Sequence, residues 1–219
     1  MKRVVVKLCG VTEERDAIEA AYLGVDAVGF HFTEGAPRYV DPEVERRIVE
    51  RLPVFLAKVG VFVDDPIIRV LEVARRVGLT AIQLGGREAP SLCTALAPLP
   101  WYKAFSLHRG FDPASLSQYP CTTFLLDTSL EAPDGTPAAY DWRKARTLGL
   151  YGKILIGGDL DPTNVALAVE QARPYGVDVV TGVEVAPGKK DLDRVERLVE
   201  AVRRAERRME TETKGAPGA

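Results

Sequence analysis

"VVVKLCGVTEERDAIEAAYLGVDAVGFHF", residues 4–32, decides how the chain is read. An apolar, β-branched run stops at Cys9-Gly10. Thr12 then opens a charged segment over Glu13–Tyr22 that suits a helix. Gly24 fits the left-handed end of that helix, and Val25–His31 is apolar again. Strand, turn, helix, glycine and strand in that order make the unit of a parallel sheet, because parallel strands need a crossover between them.

The unit recurs along the chain. Further strands are expected at Phe55–Val63, Leu79–Leu84, Trp101–Phe105, Thr122–Asp127, Lys153–Ile156 and Val177–Val180. Helices are expected between them at Pro42–Arg51, Pro66–Val77, Ala89–Ala97, Pro113–Gln118, Asp141–Leu148 and Pro162–Ala172, with a last one over Asp191–Arg208. "VERRIVERL" and "IIRVLEVARRV" have the three-and-four spacing of a one-sided helix. Asp41-Pro42, Asp65-Pro66, Asp112-Pro113 and Asp161-Pro162 read as a helix cap followed by a first helical residue. Gly24, Gly78 and Gly176 read as left-handed helix ends. Eight strand–helix units favour a single (β/α)8 TIM barrel over an open doubly wound sheet. Residues 1–208 are expected to form that one domain and 209–219 a disordered tail.

The chain has 219 residues, 46% hydrophobic, with a formal net charge of -2, enough for a large core and without a basic footprint for nucleic acid or an anionic membrane. Cys9, Cys93 and Cys121 are odd in number and far apart, which argues against a disulfide framework or a cysteine zinc site and for a reducing cytoplasm. No apolar run reaches membrane-spanning length. A single asparagine, Asn164, few methionines and abundant charge point toward a thermophile.

Chemistry in such a barrel collects where strands end. Alternation puts Val5, Lys7 and Cys9 on one face of the first strand, and Thr123, Leu125 and Asp127 on one face of the sixth. A thiol and a carboxylate aimed into one mouth form an acid–base pair, against the plainer reading of a buried thiol and a loop cap. Lys7 and Asp178 are expected to pair inside the barrel, with residual positive field assisting Cys9. Gly157 and Gly158 after the seventh strand, and Thr181 and Gly182 after the eighth, suit a phosphate held on backbone amides. Arg38 is a cation at the mouth that could clamp a carboxylate. Neither His31 nor His108 has a partner at metal-ligand spacing, so no metal is assigned.

These residues assembled, the sequence resembles phosphoribosylanthranilate isomerase, from about Val4 to Arg203. "KLCGVT" and "VDVVTGVEVAPGKKD" are the specific parts, with "GVDAVGFHF", "KVGVFV", "LLDT" and "YDW" between them in family order. The resemblance implies a cofactor-free Amadori rearrangement of a phosphoribosyl substrate. Asp127 would be the general acid on the ring oxygen and Cys9 the general base at the sugar C2′. Arg38 would contact the anthranilate carboxylate, Gln83 the substrate, and Gly157, Gly158, Thr181 and Gly182 the phosphate. The protein would be a monomer or homodimer. "QLGG" carries Gly85 where the family usually has histidine, and "PDGTPAAYDW" carries Asp134 and Pro137 where it usually has glycines. Two alternatives stay open: a catalytically silent phosphosugar-binding barrel, and a related phosphosugar isomerase of the histidine pathway, which uses an aspartate where Cys9 stands.

Overall fold

The computed structural model describes residues 3–107, 111–128 and 142–215. In chain order its elements are β1 (Val5–Cys9), α1 (Glu14–Tyr22), β2 (Ala27–His31), α2 (Pro42–Arg51), β3 (Ala57–Phe62), α3 (Ile67–Val77), β4 (Ala81–Leu84), α4 (Pro90–Cys93), β5 (Trp101–Ser106) and β6 (Thr123–Asp127). There follow α5 (Trp142–Thr147), β7 (Lys153–Gly157), α6 (Val165–Ala172), β8 (Gly176–Val179), β9 (Glu184–Ala186), β10 (Lys189–Lys190) and α7 (Leu192–Gly215). Strands β1 to β8 close into one parallel barrel in sequence order, and β9 and β10 form a separate small hairpin. The closing seam pairs Val5 with Gly176 and Lys7 with Asp178.

Period-two alternation divides each strand between two cores. Ala27, Val59, Tyr102, Ala104, Leu125 and Leu155 fill the barrel interior. Val6, Leu8, Val28, Phe30, Ile82, Phe124, Ile156 and Val177 point outward into a larger core beneath the helices. Both faces of a parallel barrel strand are thus buried, which is why the strands read as nearly continuous apolar runs.

Several expected details differ. Asp41 and Asp112 cap as anticipated, accepting from the amides of Glu43 and Ala114. Asp65 does not cap α3; it pairs with Arg69 one turn on. Asp161 receives the amides of Thr163 and Asn164 in a turn that precedes α6, which starts only at Val165. The left-handed residue after α6 is Arg173, at φ 47°, and Gly176 lies within β8. Its Cβ would come 2.8 Å from the Val5 carbonyl oxygen across the seam, so close strand approach is what calls for glycine there. Ala89–Ala97 forms only the short α4 and a 3-10 turn, and Pro113–Gln118 is a 3-10 helix. Around this thin part of the wall the buried Lys103 ammonium donates to the carbonyls of Leu84, Gly86 and Ala104 and pairs with Glu88 at 3.2 Å. It also lies over the rings of Phe105 and Tyr119. A cation satisfied by carbonyls, carboxylate and rings thus substitutes for helix packing.

At the other end, α7 runs through Gly215 with Met209 buried, so the chain is helical beyond the expected start of a tail at 209. Arg203 on α7 donates to the Val4 carbonyl and to Asp26, and Glu206 accepts the Val4 amide. The first and last elements are stitched together.

Glu45 on α2 is fully buried, and neither carboxylate oxygen has a hydrogen-bond partner. Burial alone pushes its pKa up to about 8. Between the ordinary glutamate range and that value the unfolded chain gives up the proton while the folded one keeps it. Stability therefore falls as pH rises through this window. Glu45→Met is expected to raise the melting temperature at pH 9, with the gain shrinking toward zero at pH 5, in paired thermal melts.

Candidate active site at the carboxyl rim

Cys9 is the last residue of β1, and the chain must turn sharply beyond it. Gly10 turns at φ 68°, and a Cβ there would lie 2.3 Å from the Arg38 side chain, which crosses directly over it. Arg38 is held by Glu184 through two bonds, Nε to Oε1 at 2.9 Å and Nη2 to Oε2 at 2.6 Å. Glu184 also accepts from Lys190 Nζ at 2.8 Å and from the Gly188 amide at 3.1 Å. Lys190 Nζ donates to the Cys9 carbonyl at 2.6 Å, its amide donates to Asp16, and Thr12 Oγ1 donates to the Gly188 carbonyl. The β9–β10 hairpin is thereby strapped to the turn after β1. Burial opposes the charge on Glu184, yet Arg38 and Lys190 hold its pKa below the usual glutamate range. The cation expected to await a ligand carboxylate therefore already holds one supplied by the chain.

Beneath this rim, Lys7 Nζ lies 2.8 and 2.9 Å from the two oxygens of Asp178 and 3.0 Å from Gln83 Oε1. Tyr102 donates to the same Gln83 oxygen at 2.9 Å. Burial presses both members of the ion pair toward their neutral forms. For Lys7 the Asp178 carboxylate prevails, holding the ammonium well above its usual value. The expected pair inside the barrel is present. Gln83 belongs to its network.

The expected assistance to Cys9 is outweighed. Cys9 is 2% exposed, and burial followed by the Asp178 charge raises its pKa above that of a free thiol, against the lowering pull of Lys7 and Lys190. Without a ligand the group is a thiol at neutral pH. Its sulfur is not sealed among aliphatic groups, however. It lies 3.4 Å from His31 Nε2, and a Cβ on Gly29 would be 2.7 Å from it, so the missing side chain makes the space that sulfur uses.

Across the mouth, Asp127 ends β6, in register with Ser106 on one side and Gly157 on the other. Its Oδ2 sits 3.7 Å from the point a Cβ of Gly157 would occupy. Its charge acts on Asp178, and Asp178 acts in turn on Cys9. Thiol and carboxylate open onto one interior. The loops after β7 and β8 also meet. Gly158 has φ 86°, Thr181–Val183 is a 3-10 turn, and a Cβ on Gly182 would strike the Leu160 carbonyl oxygen at 2.1 Å. Gly157, Gly158, Thr181 and Gly182 are gathered on this side of the rim.

His31, Glu184 and Lys190 were missed as site residues. Alternation in "AVGFH" sets His31 inward with Ala27 and Gly29, a signal that metal-ligand spacing alone does not reveal. The loop carrying Asp134 and Pro137, and His108, lie outside the described residues. Among the described residues no group of three or more His, Cys, Asp or Glu side chains is arranged to hold a metal ion, and no helix is long and apolar enough to cross a membrane.

Ionisable groups concentrated at the carboxyl ends of a closed (β/α)8 barrel mark an enzyme of that fold class. Residues 6–201 match the family model described as N-(5'phosphoribosyl)anthranilate (PRA) isomerase, and the chain belongs to that family. It is thus an isomerase of tryptophan biosynthesis. It is 42% identical over 195 residues to the N-(5'-phosphoribosyl)anthranilate isomerase of Geobacter sp. (strain M21), covering 89% of this chain and 95% of that one. A crystal structure of phosphoribosyl anthranilate isomerase in complex with reduced 1-(o-carboxyphenylamino)-1-deoxyribulose 5-phosphate superposes with a TM-score of 0.82 at 35% identity, over 91% of this chain and 98% of the other. Monomers generated from the dimeric Thermotoga maritima enzyme superpose at 0.78 with 34% identity, over 91% and 98% of the two chains.

The Lys7–Asp178 pair generates a stability prediction. Lys7→Met strands a buried carboxylate and is expected to cost about 3–5 kcal/mol. Lys7→Met combined with Asp178→Leu should recover a large part of that loss. Urea unfolding of the three proteins measures both.

Proposed function

We propose that this isomerase converts N-(5'-phosphoribosyl)anthranilate to 1-(2-carboxyphenylamino)-1-deoxyribulose 5-phosphate by general acid–base catalysis. Asp127 protonates the furanose ring oxygen, and the ring opens to a protonated Schiff base. Cys9 then removes the C2′ proton, giving an enolamine that tautomerises to the ketone. The observation that carries this reading is that Cys9 and Asp127 stand at the carboxyl ends of β1 and β6 in one closed barrel. Arg38 is read as the contact for the anthranilate carboxylate, which must then share or exchange the guanidinium with Glu184. Gln83 is read as a contact from the interior side, and Gly157, Gly158, Thr181 and Gly182 as the phosphate cradle. Three free cysteines suit the cytoplasm.

Residues 1–208 are read as one domain, assembling as a monomer or a homodimer. The homodimer is favoured by Val54 and Phe55, which are 79% and 98% exposed in the turn between α2 and β3, an apolar cost that a second copy would relieve. Phe55→Glu is expected to leave a monomer in sedimentation velocity.

Cys9→Ser and Asp127→Asn are each expected to lower kcat by about 10²–10⁴-fold with KM little changed. Steady-state kinetics on the phosphoribosyl substrate decide the matter. A protein that binds the reduced product analogue yet turns nothing over is instead a silent binder.

A further inference from the structure

We propose that His31 accepts the thiol proton of Cys9, making the base of this reaction a sulfur–imidazole pair assembled across β1 and β2. The inference rests on the acid–base reading above and adds a partner for the sulfur.

The geometry begins with register. Cys9 is aligned with Gly29, and His31 stands one pleat further along the same inward face of β2. Any side chain at position 29 would fill the gap between them. Glycine leaves it open, and Sγ lies 3.4 Å from Nε2. A neutral imidazole with its proton on Nδ1 accepts an S–H bond at that distance.

The charges facing the imidazole come from every side. Lys7 on β1, Arg38 after β2 and Lys190 on β10 disfavour its protonated form, and Glu184 on β9 favours it. Burial is the largest influence, and together these bring its pKa down to about 4. In the free enzyme His31 is therefore neutral and the proton stays on sulfur. The substrate reverses this balance, because it brings a phosphate and a carboxylate to a site surrounded by cations. Added negative charge stabilises an imidazolium and opposes a thiolate, and His31, one pleat nearer the rim than Cys9, lies closer to the incoming anions, so the first effect leads. The thiolate thus forms when the pocket is filled, which keeps the resting thiol protonated and unreactive.

The proton count closes. One proton passes from sulfur to Nε2. The sulfur lone pair takes the C2′ proton, the C–H electron pair becomes the C1′–C2′ double bond, and the iminium nitrogen is neutralised. The extra proton on His31 matches the one Asp127 gave to the ring oxygen, and exchange through solvent restores both.

His31→Gln keeps an acceptor but takes no proton, and His31→Val keeps neither. Both are expected to lose about 10²-fold in kcat with KM within about threefold of wild type. With the reduced product analogue bound, the ultraviolet thiolate titration, read against Cys9→Ser, should shift to higher pH in both variants. Full activity and an unshifted titration in His31→Gln overturn the proposal, as does a loss of kcat without any titration shift. Should the variants fail to fold, ring-nitrogen NMR of the wild-type complex decides: an imidazolium signal for His31 at neutral pH supports the pair, and a neutral ring refutes it. If Cys9→Ser keeps full activity, the acid–base reading itself fails. If Cys9→Ser is inactive while both His31 variants are normal, only the present inference fails.

Discussion

The Lys7–Asp178 ion pair ties the closing seam of this barrel and lies beneath its candidate active site. It sits at the seam where β1 meets β8, and each partner would be costly to bury alone. Gln83 and, through it, Tyr102 complete the hydrogen bonding, so the charges are satisfied without water. The same pair sets the field beneath the mouth. Asp178 raises the Cys9 pKa, Lys7 lowers it, and Lys7 disfavours protonation of His31. Burial, joined by Asp178 and opposed by Lys7 and Lys190, thus keeps the sulfur protonated in the ligand-free site.

Over that pair lies a second ionic layer, built from Arg38, Glu184 and Lys190. It joins the loop after β2, the hairpin after β8 and the turn after β1. Glu184 is shared by two cations and an amide, which fixes the guanidinium over Gly10. The arginine is therefore pre-oriented at the rim, and a competing carboxylate meets a rigid fork rather than a mobile side chain. Two ion-paired tiers, one inside the barrel and one at its lip, bracket the Cys9 thiol.

The barrel was legible because its signal is local and repeated. Strands such as "AVGFH" and "TFLLD" announce themselves by β-branched and apolar runs, and Gly24 and Gly78 mark helix ends through positive φ. The placement of Cys9, Asp127 and the Lys7–Asp178 pair followed from alternation plus closure. What escaped was long-range or competitive. Arg38 was expected to wait for a ligand, yet its partner Glu184 lies 146 residues away and no local pattern ties them. The helix expected at Ala89–Ala97 is only the short α4 and a 3-10 turn, beside a buried lysine at 103 that bonds the carbonyls of Leu84 and Gly86 from across the wall. His31 was visible on the inward face, but its significance depends on the absence of a side chain at Gly29, a feature of the facing geometry rather than of the histidine.

The strap from Lys190 to the Cys9 carbonyl has a consequence for biogenesis. A nascent chain leaving the ribosome presents the first strand long before the hairpin that completes its turn exists. Until the chain through Lys190 is translated, Lys7 lacks its Asp178 counter-ion and the sulfur its roof. In the half-made barrel Cys9 is an ordinary solvated thiol, and its buried, protonated state arises only once the hairpin has docked over it.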